Sequence, residues 1–237
     1  MVELRRENML VDGKTKQLFK MDNNDQLAIR FKDDALTFYG IKKANIPDKG
    51  IIVAKINELL FSYLNANGIP THFEKRLTED AFLCRKTVAF PIGLVVRNIS
   101  SGKFADKFLV PEGKNLKKPV FEICYFNENL GNPLINDSQA VALGLFKEKD
   151  LKVIYKIAKK ANLLLKNFFL EKGLLLVDFK LHFGKVGTEI ILIDELSPDI
   201  ARIWDKKTKK RLDKDVLKLD LGDLKKSYSE ILDRIKE

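Results

Sequence analysis

LLLVDFKLHFGKVGTEIILIDELSPDIARIWD, residues 174–205, places two apolar runs either side of a short connection that contains Gly184 and Gly187. Aliphatic and β-branched residues in short runs, joined by a glycine-bearing loop, predict a β-hairpin. Polar residues interrupt the runs at chosen places: Asp178 and Lys180 on the first, Asp194 and Glu195 at the end of the second. Residues two apart in a strand leave the same face, so Asp178 and Lys180 share one side. A lysine on one face and a carboxylate pair at the hairpin's mouth suit a phosphate and a hard divalent cation. Lysine meets phosphate as a point charge, and carboxylates bind such ions through oxygen. The plainer reading is a surface hairpin with solvated charges. Pro198 then ends the strand, and Asp199, Arg202 and Asp205 follow it.

The whole chain has 237 residues, 45% apolar and 32% charged, which suits one large domain or two small ones with a substantial core. No apolar run approaches a membrane span, and MVELRRENML lacks the apolar stretch of a secretion signal. A cytoplasmic protein without membrane contact is the expectation. Cys84 and Cys124 offer neither a disulfide framework nor a paired metal motif, and read as buried small hydrophobes in a reducing compartment. The net charge of +10 favours anionic partners. The lysines are spread along the chain, and the one dense run, KKTKKR at 206–211, reads as a solvated turn. A positive cleft for small anions therefore explains the charge better than a nucleic-acid surface.

Other segments supply the frame. MLVDGKTKQLFK (9–20) reads as strand, glycine turn, strand, with Lys14 and Lys16 pointing to one face, and a third strand spans Leu27 to Phe31. Ile52, Ile56, Leu59, Leu60, Tyr63 and Leu64 recur at helical spacing from Gly50 to Asn67, where Gly68 and Pro70 end the pattern. His72, beside Phe73, reads as structural. AFLCRKTVAFPIGLVVRNIS (81–100) and VFEICYF (120–126) read as strands. An apolar face marks a helix from Leu151 to Lys172, closed by Gly173, and a last amphipathic helix runs from Leu224 to Ile235. An arginine at the end of an apolar strand, Arg97, followed by a glycine turn is suited to grip a carboxylate or phosphate in a fork.

VDFKLHFG (177–184) and DELSPDIARIWD (194–205) together resemble the two signatures of the phosphoribosylaminoimidazole-succinocarboxamide synthase (SAICAR synthetase) family, whose pattern is close to VDFKLEFG and DEISPD, two residues, R, one residue, WD. GKTK (13–16) is similar to the family's GKAK or GKVK, and PIGLVVRNISSGK (91–103) to its PLEVVVRNIAAGS. The resemblance covers the order of elements along the whole chain. It implies an α+β fold in two lobes with antiparallel sheets, residues 1–85 and 86–237, and an ATP cleft between them. It implies an ATP-dependent ligase of purine biosynthesis that joins carboxyaminoimidazole ribonucleotide to L-aspartate, giving SAICAR, ADP and phosphate. The partners implied are small molecules, with Mg²⁺ beside ATP, and bacterial relatives suggest a homodimer.

Site roles carry over residue by residue. The resemblance puts Lys14 and Lys16 at the ATP phosphates and the segment Leu83 to Lys86 at the adenine. It puts Asp194 and Glu195 at Mg²⁺ and Lys180 at the transferring phosphoryl group. Arg97, Lys103, Arg202 and Lys218 would hold the substrate anions, with Asp199 orienting them. Several positions depart from the family pattern. Leu36 and Tyr39 replace polar residues, Gly93 and His182 replace glutamates, and Lys103 replaces a serine. Phe126 replaces a lysine, Asn132 an aspartate, and Lys218 stands where arginine is frequent. Leu36, Tyr39, Gly93, Lys103 and Lys218 then fall on the imidazole-nucleotide side and His182 on the metal side. These departures keep two other readings open: a same-fold amide ligase acting on another carboxylic acid, and a non-catalytic nucleotide-binding homologue.

Overall fold

The computed structural model describes residues 4–36 and 43–236. Strands β1 (Met9–Asp12), β2 (Lys16–Lys20) and β3 (Gln26–Phe31) are followed by a short pair, β4 (Asp34–Leu36) and β5 (Lys43–Asn45). Helix α1 (Lys49–Ala66) then leads to β6 (Phe73–Arg76) and β7 (Ala81–Arg85). The first sheet is antiparallel with order β1-β2-β3-β7-β6. Leu36 ends β4, and Tyr39 lies outside the described residues.

The second sheet begins with β8 (Val88–Ile99); α2 (Lys103–Phe108), β9 (Asn115–Tyr125), β10 (Leu134–Ile135) and α3 (Asp137–Ala142) follow it. Helix α4 (Glu148–Glu171) precedes β11 (Leu174–Val186), β12 (Glu189–Ile193) and β13 (Ala201–Asp205), and α5 (Asp215–Lys218) and α6 (Leu224–Lys236) close the chain. The order is β10-β9-β8-β11-β12, with β13 also on β11, and every pairing is antiparallel. Among the described residues one large hydrophobic core runs through both sheets and helices α1, α4 and α6, and a second, small cluster joins Ile99, Val177 and Trp204 of β8, β11 and β13. Among the described residues no helix is long and apolar enough to cross a membrane.

The expected hairpin is β11–β12, turned at Gly187 with a φ of 59°. Gly184 is not in the turn. It lies inside β11, where an added Cβ would come within 3.0 Å of Thr87, so the glycine permits a close approach of strands. A bulge between Leu176 and Asp178 resets the alternation of β11. Leu174 and Leu176 face the core before it, and Phe179, Leu181 and Phe183 after it. Asp178, Lys180 and His182 are thereby left in a row on the opposite face, about 7 Å apart by strand geometry.

Candidate active site

β12 and β13 share one edge of β11, and the loop 194–200 leaves the sheet between them. The loop rejoins at mid-strand, where the Lys180 backbone N–H donates to the Ile200 carbonyl at 3.2 Å. Both signatures are thus fixed to the same few residues of one strand. On the other edge, β8 sets Arg97 opposite Asp178, Val95 opposite Lys180 and Gly93 opposite His182.

At the Asp178 end two arginines share one carboxylate. The Arg97 Nη1 donates to Asp178 at 3.2 Å, and the Arg202 Nη1 donates to both Asp178 oxygens at 3.1 and 2.9 Å. The Nε atoms go elsewhere, Arg97 to Glu122 and Arg202 to Asp215 at 2.7 Å. Among the described residues neither Nη2 donates a hydrogen bond, so each guanidinium is clamped with a donor to spare. An added Cβ on Gly102, whose φ is 52°, would lie 2.9 Å from the Arg202 Nη2, so the turn glycine of the RNISSG run lets the backbone pass beside this donor. Burial disfavours the Arg202 charge, but Asp178 and Asp215 outweigh it and hold the group above its ordinary value.

A cavity of about 350 Å³ opens here, lined by Arg97, Lys103, Lys180, Arg202, Lys214 and Lys218 among others. The expected substrate-binding residues therefore meet in one place. Lys180 makes no hydrogen bond or ion pair through its ammonium among the described residues. Lys214 was not singled out in the sequence. Its ammonium donates to the Asp199 carbonyl at 2.8 Å, and burial, then Lys180 and Arg202, lower its pKa. The only local signal is its place in the DKD run at 213–215.

Asp199 differs from its expected role. Its carboxylate accepts from Lys49 of α1 and, at 2.8 Å, from the Tyr228 hydroxyl of α6, and it does not meet Arg202. It ties the signature loop to both helices. The orienting carboxylates of Arg202 are Asp178 and Asp215.

The two expected phosphate lysines also separate. Lys14 lies in the turn before β2, where the two-residue alternation of a strand does not apply, and pairs with the exposed Glu128 at 3.1 Å. Lys16 begins β2 and turns inward to bridge Asp194 and Glu195, the latter at 2.9 Å. Lys86 is exposed, and its backbone N–H donates to the Asp25 carbonyl. Burial opposes the charges of Lys16 and Asp194, yet their attraction prevails. Lys16 is held above its ordinary value, and Asp194 is lowered to about 2.

The carboxylates at the hairpin's mouth are not equivalent. Glu195 is 3% exposed and both its oxygens are engaged, by Lys16 and by the Ser197 hydroxyl. Asp194, with φ 77°, has Lys16 on one oxygen and the His182 Nδ1 3.1 Å from the other. Burial pushes His182 down to about 4, so its imidazole is neutral at pH 7. His72 is buried between Phe61 and Phe82, as a structural histidine should be.

Lys16→Met is expected to leave Asp194 and Glu195 facing each other without a cation. The depressed Asp194 contributes stability that is present above its ordinary value of 3.8 and lost as pH falls through about 2. The variant lacks this contribution, so denaturant unfolding should find it less stable at pH 7 by on the order of 2 kcal/mol, with the gap narrowing below pH 4.

Asp213 carries the opposite shift. Its carboxylate accepts from the backbone N–H of Ile203 and of Asp215, both at 2.9 Å. Burial and the Asp215 charge raise it to about 7. The folded state thus keeps a proton that the unfolded chain has lost, and stability falls as pH rises from about 4 to 7. Asp213→Asn is expected to remove that slope. It forfeits one accepted hydrogen bond at every pH, but between pH 4 and 8 it should gain on the order of 3 kcal/mol relative to the parent in denaturant titrations.

The family model described as SAICAR synthetase matches residues 9–235. The phosphoribosylaminoimidazole-succinocarboxamide synthase of Clostridium novyi (strain NT) is 46% identical over 229 residues, covering 97% of each chain. The crystal structure of that synthase from Ehrlichia chaffeensis superimposes with a TM-score of 0.94 at 34% identity, covering 96% of this chain and 98% of its own. A SAICAR synthetase solved in complex with ADP gives 0.92 at 42% identity, covering 95% and 96%. Matched from its first strand to its last helix, the chain belongs to the SAICAR synthetase family.

Proposed function

We infer that the chain is a phosphoribosylaminoimidazole-succinocarboxamide synthase, an ATP-dependent ligase joining carboxyaminoimidazole ribonucleotide and L-aspartate into SAICAR with release of ADP and phosphate. The observation that carries the site assignment is the row Asp178, Lys180, His182 on one face of β11, with an anion pocket at one end and the Lys16–Asp194 pair at the other.

The nucleotide phosphates belong at the Lys16–Asp194 end. Lys16, already seated on two carboxylates, supplies positive charge there and carries over as the phosphate lysine in preference to Lys14. Asp194 fits Mg²⁺, an ion held by one or two carboxylates together with substrate phosphates. Glu195, with both oxygens engaged, acts by holding Lys16. A divalent cation bound there supplies charge neutralisation at the phosphates.

Arg97 and Arg202 present their spare donors to the substrate carboxylate or phosphate, with Lys103, Lys214 and Lys218 adding positive charge. Lys180, between the two ends and with no partner for its ammonium among the described residues, neutralises charge on the phosphoryl group passing from ATP to the substrate carboxylate. Displacement of that phosphate by the aspartate amine completes the amide. Positioning and electrostatics are the protein's main contributions.

Gly93, Phe126 and His182 lie together at the Asp194 end, away from the anion pocket, so they do not argue for another acid substrate. A coupled assay of ADP release, with ATP, divalent cation, aspartate and carboxyaminoimidazole ribonucleotide omitted in turn, tests the function. Release should require all four, and release that continues without the imidazole nucleotide would refute it.

A further inference from the structure

Three departures from the family pattern, far apart in sequence, meet in space. The Phe126 and His182 rings lie with centroids 4.6 Å apart, tilted by 38°. Gly93 is the cross-strand partner of His182, and an added Cβ there would lie 2.7 Å from the Phe126 Cζ, 2.9 Å from the Leu181 carbonyl oxygen and 3.2 Å from the His182 Cδ2. The absent side chain at 93 therefore leaves room for the Phe126 ring, and with it for the tilted contact of that ring with the imidazole at 182. Where the family pattern has two glutamates and a lysine, this chain has a glycine gap, an aromatic wall and an imidazole.

This nest sets the imidazole against the Asp194 carboxylate, whose other oxygen carries Lys16. The His182 Nδ1 and the Asp194 Oδ2 are 3.1 Å apart. That is the separation of adjacent ligand atoms around an octahedral ion with bonds of about 2.1–2.2 Å. Without the ion this contact is a hydrogen bond from the neutral imidazole, so an ion entering there takes Nδ1 once its proton has moved to the other ring nitrogen, whereas the Glu195 oxygens stay held by Lys16 and Ser197. We propose that, with a nucleotide bound, this chain holds its divalent cation through the Asp194 carboxylate and the His182 imidazole, and so favours Mn²⁺ or Co²⁺ over Mg²⁺. A hard ion gains little from an imidazole, while affinity for nitrogen donors rises along the first transition row. The inference rests on nucleotide binding at this end of the cleft.

The test uses the full chain with histidine labelled in ¹⁵N, together with ADP and Mn²⁺. Electron spin-echo spectra of the ternary complex should show coupling of the manganese to a histidine nitrogen, lost in His182→Gln. Competition titrations should move the Mn²⁺-to-Mg²⁺ preference toward Mg²⁺ by about tenfold or more in His182→Glu. Tight ADP binding with no histidine coupling in the parent protein overturns the inference and leaves the nucleotide site standing. Failure of ADP to bind at all removes the nucleotide site and this inference together. The parent spectrum decides between the first two outcomes even where a variant fails to fold.

Discussion

Lys180→Ala is expected to lower turnover by on the order of 10³-fold while leaving the melting temperature nearly unchanged. Loss of a single preorganised donor at a site of developing charge costs about 10²–10³ in rate, and a full positive charge facing a transferring phosphoryl group belongs at the upper end. The fold survives for a local reason. Among the described residues the Lys180 ammonium holds no hydrogen bond or ion pair, so its removal strands no buried partner. Its backbone N–H, which anchors the signature loop to Ile200, is retained in alanine. Weaker strand propensity and lost stem packing amount to about 1 kcal/mol or less. Steady-state ADP release and a thermal melt on the same preparation check both halves. A rate within tenfold of the parent would remove Lys180 from the reaction. Lys180→Arg keeps the charge but replaces a compact ammonium with a broad planar fork, and should recover only part of the loss.

The elements on which this expectation rests were largely legible in the sequence, because local rules governed them. The apolar runs around Gly187 form the hairpin, and alternation puts Asp178 and Lys180 on one face. Helical spacing located α1, α4 and α6 to within a few residues, since each buries one continuous stripe. The losses came where a turn, or a neighbour remote in sequence, decided the outcome. Lys14 and Lys16 look equivalent until the turn at Gly13 puts only Lys16 in a strand. Asp199 stands three residues before Arg202 yet reaches α1 and α6 instead, because the loop turns its carboxylate away from β13. Gly93 and Phe126 read as separate departures, Gly93 on the substrate side and Phe126 on neither. Only pairing of β8 with β9 and β11 brings both against His182.

Arg202→Met is expected to do damage of another kind, to the frame of the pocket as well as its charge. Three side-chain carboxylates depend on this guanidinium or lie beside it: Asp178 and Asp215 by direct hydrogen bonds, and the buried Asp213 through its neighbour Asp215. Removing one partner of a buried ion pair leaves uncompensated charge and costs about 3–5 kcal/mol. For a chain of this length that corresponds to a fall of roughly 10 °C in melting temperature. Arg97 keeps its Asp178 contact, but Asp178 loses the second cation that fixed it, so the spare Nη2 donors of both arginines lose their aim. The KM for the imidazole nucleotide should therefore rise by about 10²-fold, more than the loss of a single exposed contact would produce. Arg202→Lys is expected to rescue little of either effect. One ammonium cannot reproduce an Nε donor to Asp215 together with an Nη1 donor to both oxygens of Asp178. The double variant Arg202→Met with Asp215→Asn separates the two contributions. Neutralising one stranded carboxylate should return at least about 1 kcal/mol of stability in denaturant unfolding, yet leave the KM high. If stability returned and KM fell with it, Arg202 would be a structural bridge with no hold on the substrate.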